Sequence, residues 1–193
     1  SRIEWYEHCL CRYNLVCLAM YKHLLIATLL ISSHHLVAQN FPALTGETAD
    51  GVTIILPKSD AKPYTIIGLA YSQKASPVME GWYEPAYIRF IAKYGLMAGA
   101  YDADIYFVPL FVGANKSAYE AVMKNFRENA DPEIVDHVLF SKAEIEPLSA
   151  ALDLKDKGIP YFFVLDATGK IIHRTQGEFT EDKLEAMEDV MLE

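Results

Sequence analysis

Cysteine is nearly absent from this chain of 193 residues, and the three that occur stand close to its start. They are Cys9, Cys11 and Cys17, and no cysteine occurs between residues 39 and 193. A thiolate is the nucleophile of thiol–disulfide exchange and a frequent metal ligand. A domain formed by residues 39–193 therefore has no disulfide, no thiol nucleophile and no thiolate metal ligand.

Positively charged residues are also few relative to negatively charged ones. The chain has 17 lysines and arginines against 26 aspartates and glutamates, which gives a net charge of -9 at pH 7. A protein that binds nucleic acid needs a basic surface to contact phosphates, and attraction to anionic membranes also needs cationic side chains. We therefore predict that nucleic acid is not a partner.

Long hydrophobic runs are missing as well. The apolar run 24–31 is about half of the ~20 residues that a membrane-spanning helix needs. It follows Lys22 and precedes Ala38, a small residue at a possible cleavage point, and this is the pattern of a secretory signal peptide. We predict that residues 20–38 form this signal and that residues 1–19 are an upstream extension outside the fold. The mature protein would then be exported, periplasmic or secreted, with no integral membrane span.

An uncleaved anchor or a buried N-terminal helix is the alternative reading of the apolar run. The difference matters for chemistry because an unprocessed chain would keep its three cysteines.

The sequence also lacks the familiar signatures of cofactor and metal sites. It has no Walker or Rossmann glycine pattern and no metal-ligand spacing, so we predict no cofactor, no metal and no catalytic residue. A nucleophilic Ser76 would need His137 or His173 as its base, together with a third group to orient that base. Ser76 has a simpler explanation, because a serine before Pro77 is a typical helix cap.

What is present beyond residue 38 is a regular alternation of strands and helices. The strand 64–71 is nearly continuous in apolar residues, which favours a central strand buried on both faces. A helix is expected from Ser76 toward Tyr94, with a kink at Pro85. The hydrophobic pattern and turn residues predict the remaining strands at 51–56, 104–112, 135–140, 161–165 and 171–174, and the remaining helices at 117–129, 144–154 and after Thr180.

This element order, together with Gly158-Ile159-Pro160 ahead of an apolar hairpin, resembles the thioredoxin superfamily. The lead-in 41–71, with Lys62-Pro63 before the first core strand, resembles its TlpA-like and peroxiredoxin-like branch. The resemblance implies an α/β domain over residues 39–193, with a central mixed sheet flanked by helices and an N-terminal β-hairpin extension. It also implies that Pro160 is a cis-proline and that the backbone of Ile159 pairs with an extended peptide. An ordinary trans proline at a strand start is the alternative.

The chain departs from this family at its redox motif, two cysteines separated by two residues where the first core strand meets its helix. Counting from the strand places Gln73 and Ser76 at those positions, whereas counting back from Pro85 places Pro77 and Glu80 there. Neither register holds a thiol, so dithiol and peroxidase chemistry are excluded for residues 39–193.

Aromatic residues gather around the predicted first helix. We interpret them as packing of that helix on the sheet, and the alternative is an exposed patch for a protein or peptide partner. The cluster consists of Tyr71, Trp82, Tyr83, Tyr87 and Phe90.

These observations favour a redox-inactive thioredoxin-like protein of the cell envelope that binds a peptide or a partner protein. One alternative is an enzyme with non-thiol chemistry around Gln73, Lys74 and His173. Another is a protein related to thiol–disulfide oxidoreductases that uses the upstream cysteines if it stays unprocessed. The predicted binding residues are Gln73, Lys74, Ser76, Tyr83, Ile159 and Pro160.

Overall fold

The computed structural model describes residues 39–59, 62–92 and 101–192. The predicted upstream extension and signal peptide lie outside these residues. Within them, no helix has both the length and the apolar character needed to cross a membrane.

A four-stranded mixed sheet, in the order β4-β3-β5-β6, forms the centre of the fold. The strand β3 (Tyr64–Ala70) pairs in parallel with β4 (Ala103–Pro109) and antiparallel with β5 (Tyr161–Asp166). The edge strand β6 (Ile171–Gln176) returns antiparallel to β5. The apolar runs of β3 and β5 are buried on both faces, as their composition predicts.

A glycine permits the tightest contact within this sheet. A Cβ atom on Gly68 would lie 2.6 Å from the Phe162 ring, which is closer than carbon atoms approach. Gly68 faces Phe162 across the β3–β5 pairing. The ring therefore occupies the volume that any other side chain at position 68 would fill.

The predicted N-terminal hairpin is confirmed. Its strands β1 (Leu44–Glu47) and β2 (Thr53–Leu56) form a separate two-stranded sheet. Leu44 and Leu56 are buried, and they belong to the apolar cluster on one face of the central sheet.

Helices cover both faces of the central sheet. On the face opposite the hairpin, the apolar cluster draws on α1, α2, α3, α4 and α6, while α5 packs on the hairpin's face. The helices are α1 (Ala75–Glu80), α2 (Tyr83–Phe90), α3 (Tyr119–Asn129), α4 (Pro132–Val135), α5 (Ile145–Leu152) and α6 (Glu181–Leu192), with a 3₁₀ helix at Gly113–Ala118.

The first predicted helix is interrupted at a different place from the one expected. The break lies at Gly81 and Trp82, between α1 and α2, and Pro85 is the third residue of α2. A proline has no N–H and its ring clashes with the carbonyl four residues earlier. The chain meets this constraint by starting a new helix, whose first turn needs no internal N–H partner.

The predicted strand 135–140 is also wrong in detail. Val135 ends α4, and the chain then runs beside β4 through isolated bridges, with Val138 opposite Phe107 and Ser141 opposite Leu110. Backbone hydrogen bonds still join this segment to β4, from Phe107 N–H to the His137 oxygen at 2.7 Å and from Leu139 N–H to the Phe107 oxygen at 2.9 Å. The segment lies at the sheet's edge without forming a continuous ladder.

Some members of the aromatic cluster lie in the core and others lie partly at the surface. Trp82 and Phe90 are buried in the core, where the Trp82 ring lies 4.1 Å from the Phe162 ring. Tyr83 and Tyr87 are only partly buried, and both line a surface groove described below.

Candidate functional site

Ser72 organises the junction between β3 and α1. Its hydroxyl accepts a hydrogen bond from the Ala75 N–H at 3.1 Å, and its carbonyl accepts from the Ser76 N–H at 3.2 Å. The residue before α1 is Lys74, whose side chain makes no capping hydrogen bond, so the prediction that Ser76 caps the helix is wrong. Ser72 instead closes the turn that leads into α1. The Ser76 hydroxyl instead donates to the Ser72 carbonyl at 3.2 Å.

A second loop, 153–160, lies against this junction. The Ser72 hydroxyl donates to the Lys157 carbonyl at 2.5 Å, and the Tyr71 hydroxyl donates to the Leu154 carbonyl at 3.3 Å. The side chain of Lys74 crosses Gly158, with its Nζ 3.3 Å from the point where a Cβ would lie. The fold thus brings Lys74 together with the predicted Gly-Ile-Pro segment.

The predicted cis-proline is not observed at Pro160. In the described residues the one cis peptide bond is Leu56–Pro57, so the Ile159–Pro160 bond is trans. Pro160 lies immediately before β5, and its carbonyl accepts a hydrogen bond from the Gly177 N–H at 2.8 Å. A trans proline suits this position because the ladder needs no donor from it.

Ile159 keeps its backbone polar groups unpaired. Neither its N–H nor its C=O forms a hydrogen bond within the described residues, although its side chain packs on the hairpin-side core. An unpaired peptide unit beside a strand start is able to pair with the backbone of an added chain.

Three of the predicted residues share a cavity on the other side of the junction. Gln73, Ser76 and Tyr83 line a space of about 250 Å³, and Phe111 and Asn115 close it from the segment after β4. Lys74, Ile159 and Pro160 do not line it. The six predicted residues therefore form two subsets on either side of the β3–α1 junction.

Tyr83 is the most strongly perturbed titratable group of this cavity. Its ring packs on Phe107 with the centroids 4.4 Å apart. Burial first, and the nearby Glu80 carboxylate second, raise the pKa of the Tyr83 hydroxyl. The hydroxyl therefore stays protonated and remains a hydrogen-bond donor at physiological pH.

The geometry also separates the two registers of the missing redox motif. Gln73 lies in the turn before α1 and Ser76 is the second residue of that helix, so this pair stands at the strand–helix junction. Pro77 and Glu80 both lie within α1.

No nucleophile–base pair is assembled around Ser76 among the described residues. The ring of His137 contacts the Ile105 carbonyl, with its Nδ1 3.0 Å from that oxygen, and Nε2 of His173 is buried without a hydrogen-bond partner. Neither ring is hydrogen-bonded to Ser76. The same part of the chain also holds no cluster of side chains suited to bind a metal ion.

The two histidines give the domain a predicted pH dependence. Burial lowers the pKa of His137, although the Ile105 carbonyl opposes this, and burial also lowers the pKa of His173. The unfolded chain therefore binds more protons in this range, so stability is complete above about pH 6.5 and falls as the pH drops toward the folded-state values. Urea unfolding at a series of pH values should show this loss. We expect His173→Leu to reduce the slope, and an unchanged slope would contradict the assignment to His173.

Sequence reasoning missed Ser72, Phe111 and Asn115. A serine hydroxyl that accepts from the N–H three residues ahead is a recognisable turn signal, and Ala75 stands at that spacing from Ser72. Phe111 and Asn115 reach the cavity only through the path of the chain after β4, which residue spacing does not indicate.

No family model matches the sequence, and no curated protein does either. Solved structures do match. An uncharacterized conserved protein from Geobacillus kaustophilus aligns with a TM-score of 0.56 and 14% identity, over 83% of this chain and 84% of that one.

Two further solved structures are similar to this chain. BsSco, of the Sco family of cytochrome c oxidase assembly proteins, aligns with a TM-score of 0.55 and 12% identity, over 80% of this chain and 92% of its own. A thiol:disulfide interchange protein DsbE from Chlorobium tepidum aligns with a TM-score of 0.51 and 16% identity, over 80% of this chain and 94% of that one. At such identities the likeness concerns the fold, and the predicted thioredoxin-like fold is confirmed. The assignment to the TlpA-like or peroxiredoxin-like branch stays a prediction.

Proposed function

We propose that this protein is a redox-inactive thioredoxin-like module of the cell envelope that binds a peptide or a partner protein beside the β3–α1 junction. The observation that carries the proposal is the junction itself, where Gln73 and Ser76 stand in place of a dithiol next to an unpaired peptide unit at Ile159. Thiol exchange needs a thiolate, and residues 39–193 contain no cysteine.

Two features beside the junction support binding: backbone groups without a hydrogen-bond partner in the described residues, and a cavity. The N–H and C=O of Ile159 can pair with an extended backbone, as in the addition of a strand to a sheet edge. Across the junction, the cavity lined by Gln73, Ser76 and Tyr83 offers a space of about 250 Å³ for a side chain. An apolar pocket with a few polar groups is a typical ligand site.

The proposed location is supported by the signal-like segment 20–38 and by one similar structure. This structure is described as an exposed lipoprotein thioredoxin from Streptococcus pneumoniae, with a TM-score of 0.50 and 19% identity over 77% of this chain and 99% of that one. Export would remove Cys9, Cys11 and Cys17 together with the signal, because all three precede Ala38.

The binding site can be tested by capturing partners from envelope extracts with the tagged protein, followed by quantitative mass spectrometry. Ile159→Pro removes the free N–H, and Ile159→Val is its matched control because it keeps the backbone donor. Ser76→Met fills the cavity, and Ser76→Ala leaves it open.

We expect Ile159→Pro and Ser76→Met to lower the recovery of the same partners about tenfold, while both controls retain them. Circular dichroism should show that all four variants are folded. Unchanged recovery with both site variants would refute the proposed site, as would equal losses with the controls.

A further inference from the structure

A second concave surface runs along the helices, next to the junction cavity. We name it the helical groove. It has a volume of about 620 Å³ and lies between α2 on one side and the end of α3 with α4 on the other. Tyr83, Tyr87 and Ile88 form the first wall, and Phe126 and Ile134 contribute to the second. Glu80, Tyr83 and Phe126 also line the junction cavity, so the two spaces adjoin.

The charge of the helical groove has one sign. Glu80 and Glu84 line the wall nearer the junction, and Asp131 and Glu133 line the opposite wall. All four residues are exposed, and the lining contains no lysine, arginine or histidine. None of the ion pairs formed within the described residues involves these four carboxylates.

Some carboxylates elsewhere in the described residues do have cationic neighbours. Arg89 pairs with both Glu181 and Glu188, and thereby joins α2 to α6. The Lys116 ammonium lies 2.6 Å from the Glu144 carboxylate. What distinguishes the helical groove is that four carboxylates without an ion pair line one concave surface that contains no cationic side chain.

Apolar and hydrogen-bonding groups occur among these charges. Ile88 is 48% exposed, one of four large apolar side chains among the described residues that are exposed to at least this degree. Tyr83 lines both cavities, and its hydroxyl makes no hydrogen bond within the described residues. Because burial raises its pKa, this hydroxyl stays protonated and can donate a hydrogen bond to a ligand.

We propose that the helical groove binds a partner segment that carries lysine or arginine side chains next to an apolar side chain. The cations would meet the four carboxylates, the apolar side chain would cover Ile88 and Phe126, and a backbone carbonyl would accept from Tyr83. The inference rests on the proposed function in taking the domain to be a binding module, and it adds the chemistry of the partner. An acidic surface repels nucleic acid and anionic lipid, so neither fits this groove.

Fluorescence anisotropy with synthetic peptides tests the groove on the purified full chain. The probe is a labelled peptide of alternating lysine and leucine. Its two comparison peptides replace lysine with glutamate or leucine with serine. The groove variant is Glu84→Gln with Glu133→Gln, two exposed carboxylates in first turns of helices. Its matched control is Glu146→Gln with Asp182→Asn, which removes two carboxylates from equivalent positions outside the groove.

We expect the lysine–leucine peptide to bind and the glutamate–leucine peptide not to bind. The groove variant should weaken the dissociation constant about tenfold, and the control pair should leave it within about twofold. Raising the salt concentration should also weaken binding, because exposed charges are screened over about 10 Å at 0.1 M. Ile88→Gln should weaken the same peptide, with Ile55→Gln as the exposed control on β2.

Three results would overturn the inference. They are absence of binding by the lysine–leucine peptide, equal binding of its glutamate counterpart, and equal losses in the groove and control variants.

The capture experiment distinguishes failure of the groove assignment from failure of the proposed function. If Ser76→Met abolishes partner capture and the groove variant does not affect it, the junction site stands and the groove assignment fails. If only the groove variant loses partners, the junction site fails.

Discussion

Cysteines placed at positions 73 and 76 are expected to give the protein a dithiol activity that is absent without them. The background is the full chain with Cys9, Cys11 and Cys17 replaced by serine, and the graft is Gln73→Cys with Ser76→Cys. A disulfide requires Cα atoms about 4.4–6.8 Å apart, which residues three apart at a turn into a helix can satisfy. We expect the graft to catalyse insulin disulfide reduction at least about tenfold above the background, because only a thiolate attacks sulfur.

The other register supplies the control for this experiment. Pro77→Cys with Glu80→Cys introduces the same two thiols inside α1, beyond the junction that Ser72 joins to the 153–160 loop. We expect this pair to remain near the background rate. Activity in the cysteine-free chain would contradict redox inactivity, and an inactive 73/76 graft would show that the junction is not a dithiol scaffold.

Truncating Trp82 is expected to cause the largest loss of stability of any single change considered. Trp82 is completely buried, its ring lies 4.1 Å from that of Phe162, and its Nε1–H donates to the Gly177 carbonyl at 3.0 Å. Trp82→Ala removes this packing, leaves a cavity and leaves the carbonyl of Gly177 without its donor. We expect a loss of about 3–5 kcal/mol in the free energy of unfolding, measured with urea.

Two variants calibrate this measurement. Trp82→Phe keeps most of the ring volume and loses the hydrogen bond, so its cost should be clearly smaller than that of Trp82→Ala. Val52→Ala changes a side chain that is 57% exposed and should stay within about 0.5 kcal/mol. A cost for Trp82→Ala similar to that of Val52→Ala would show that the packing of α1 and α2 on the sheet does not depend on Trp82.

The central sheet was predictable because its strands carry their own pattern. The run that became β3 is apolar on both faces, and the hairpin β5–β6 is marked by the turn residues Asp166 and Gly169. The helix break at Gly81 was missed because Pro85 identifies the constraint but not the residue where the chain relieves it. The segment 135–140 was predicted as a strand because it has strand-forming residues, but it pairs with β4 only through isolated bridges.

The place of the β3–α1 junction was predictable from the sequence, and its local geometry was not. The junction follows from the end of β3, and Gln73, Ser76 and Tyr83 do share a cavity. The turn at Ser72 is closed by a hydrogen bond to Ala75, and no residue pattern around Pro160 separates a trans bond from a cis bond. The helical groove joins α2 to the end of α3 and to α4, residues about forty to fifty apart in sequence, so no local pattern could indicate it.

Redox inactivity depends on whether the mature protein retains any thiol, and one measurement addresses it directly. The intact mass of the protein recovered from its own cells should be determined before and after alkylation with iodoacetamide under reducing conditions. We predict a chain that starts at Gln39 and gains no mass, since no cysteine follows Cys17. A chain that retains Cys9, Cys11 or Cys17 and gains mass on alkylation would contradict the account.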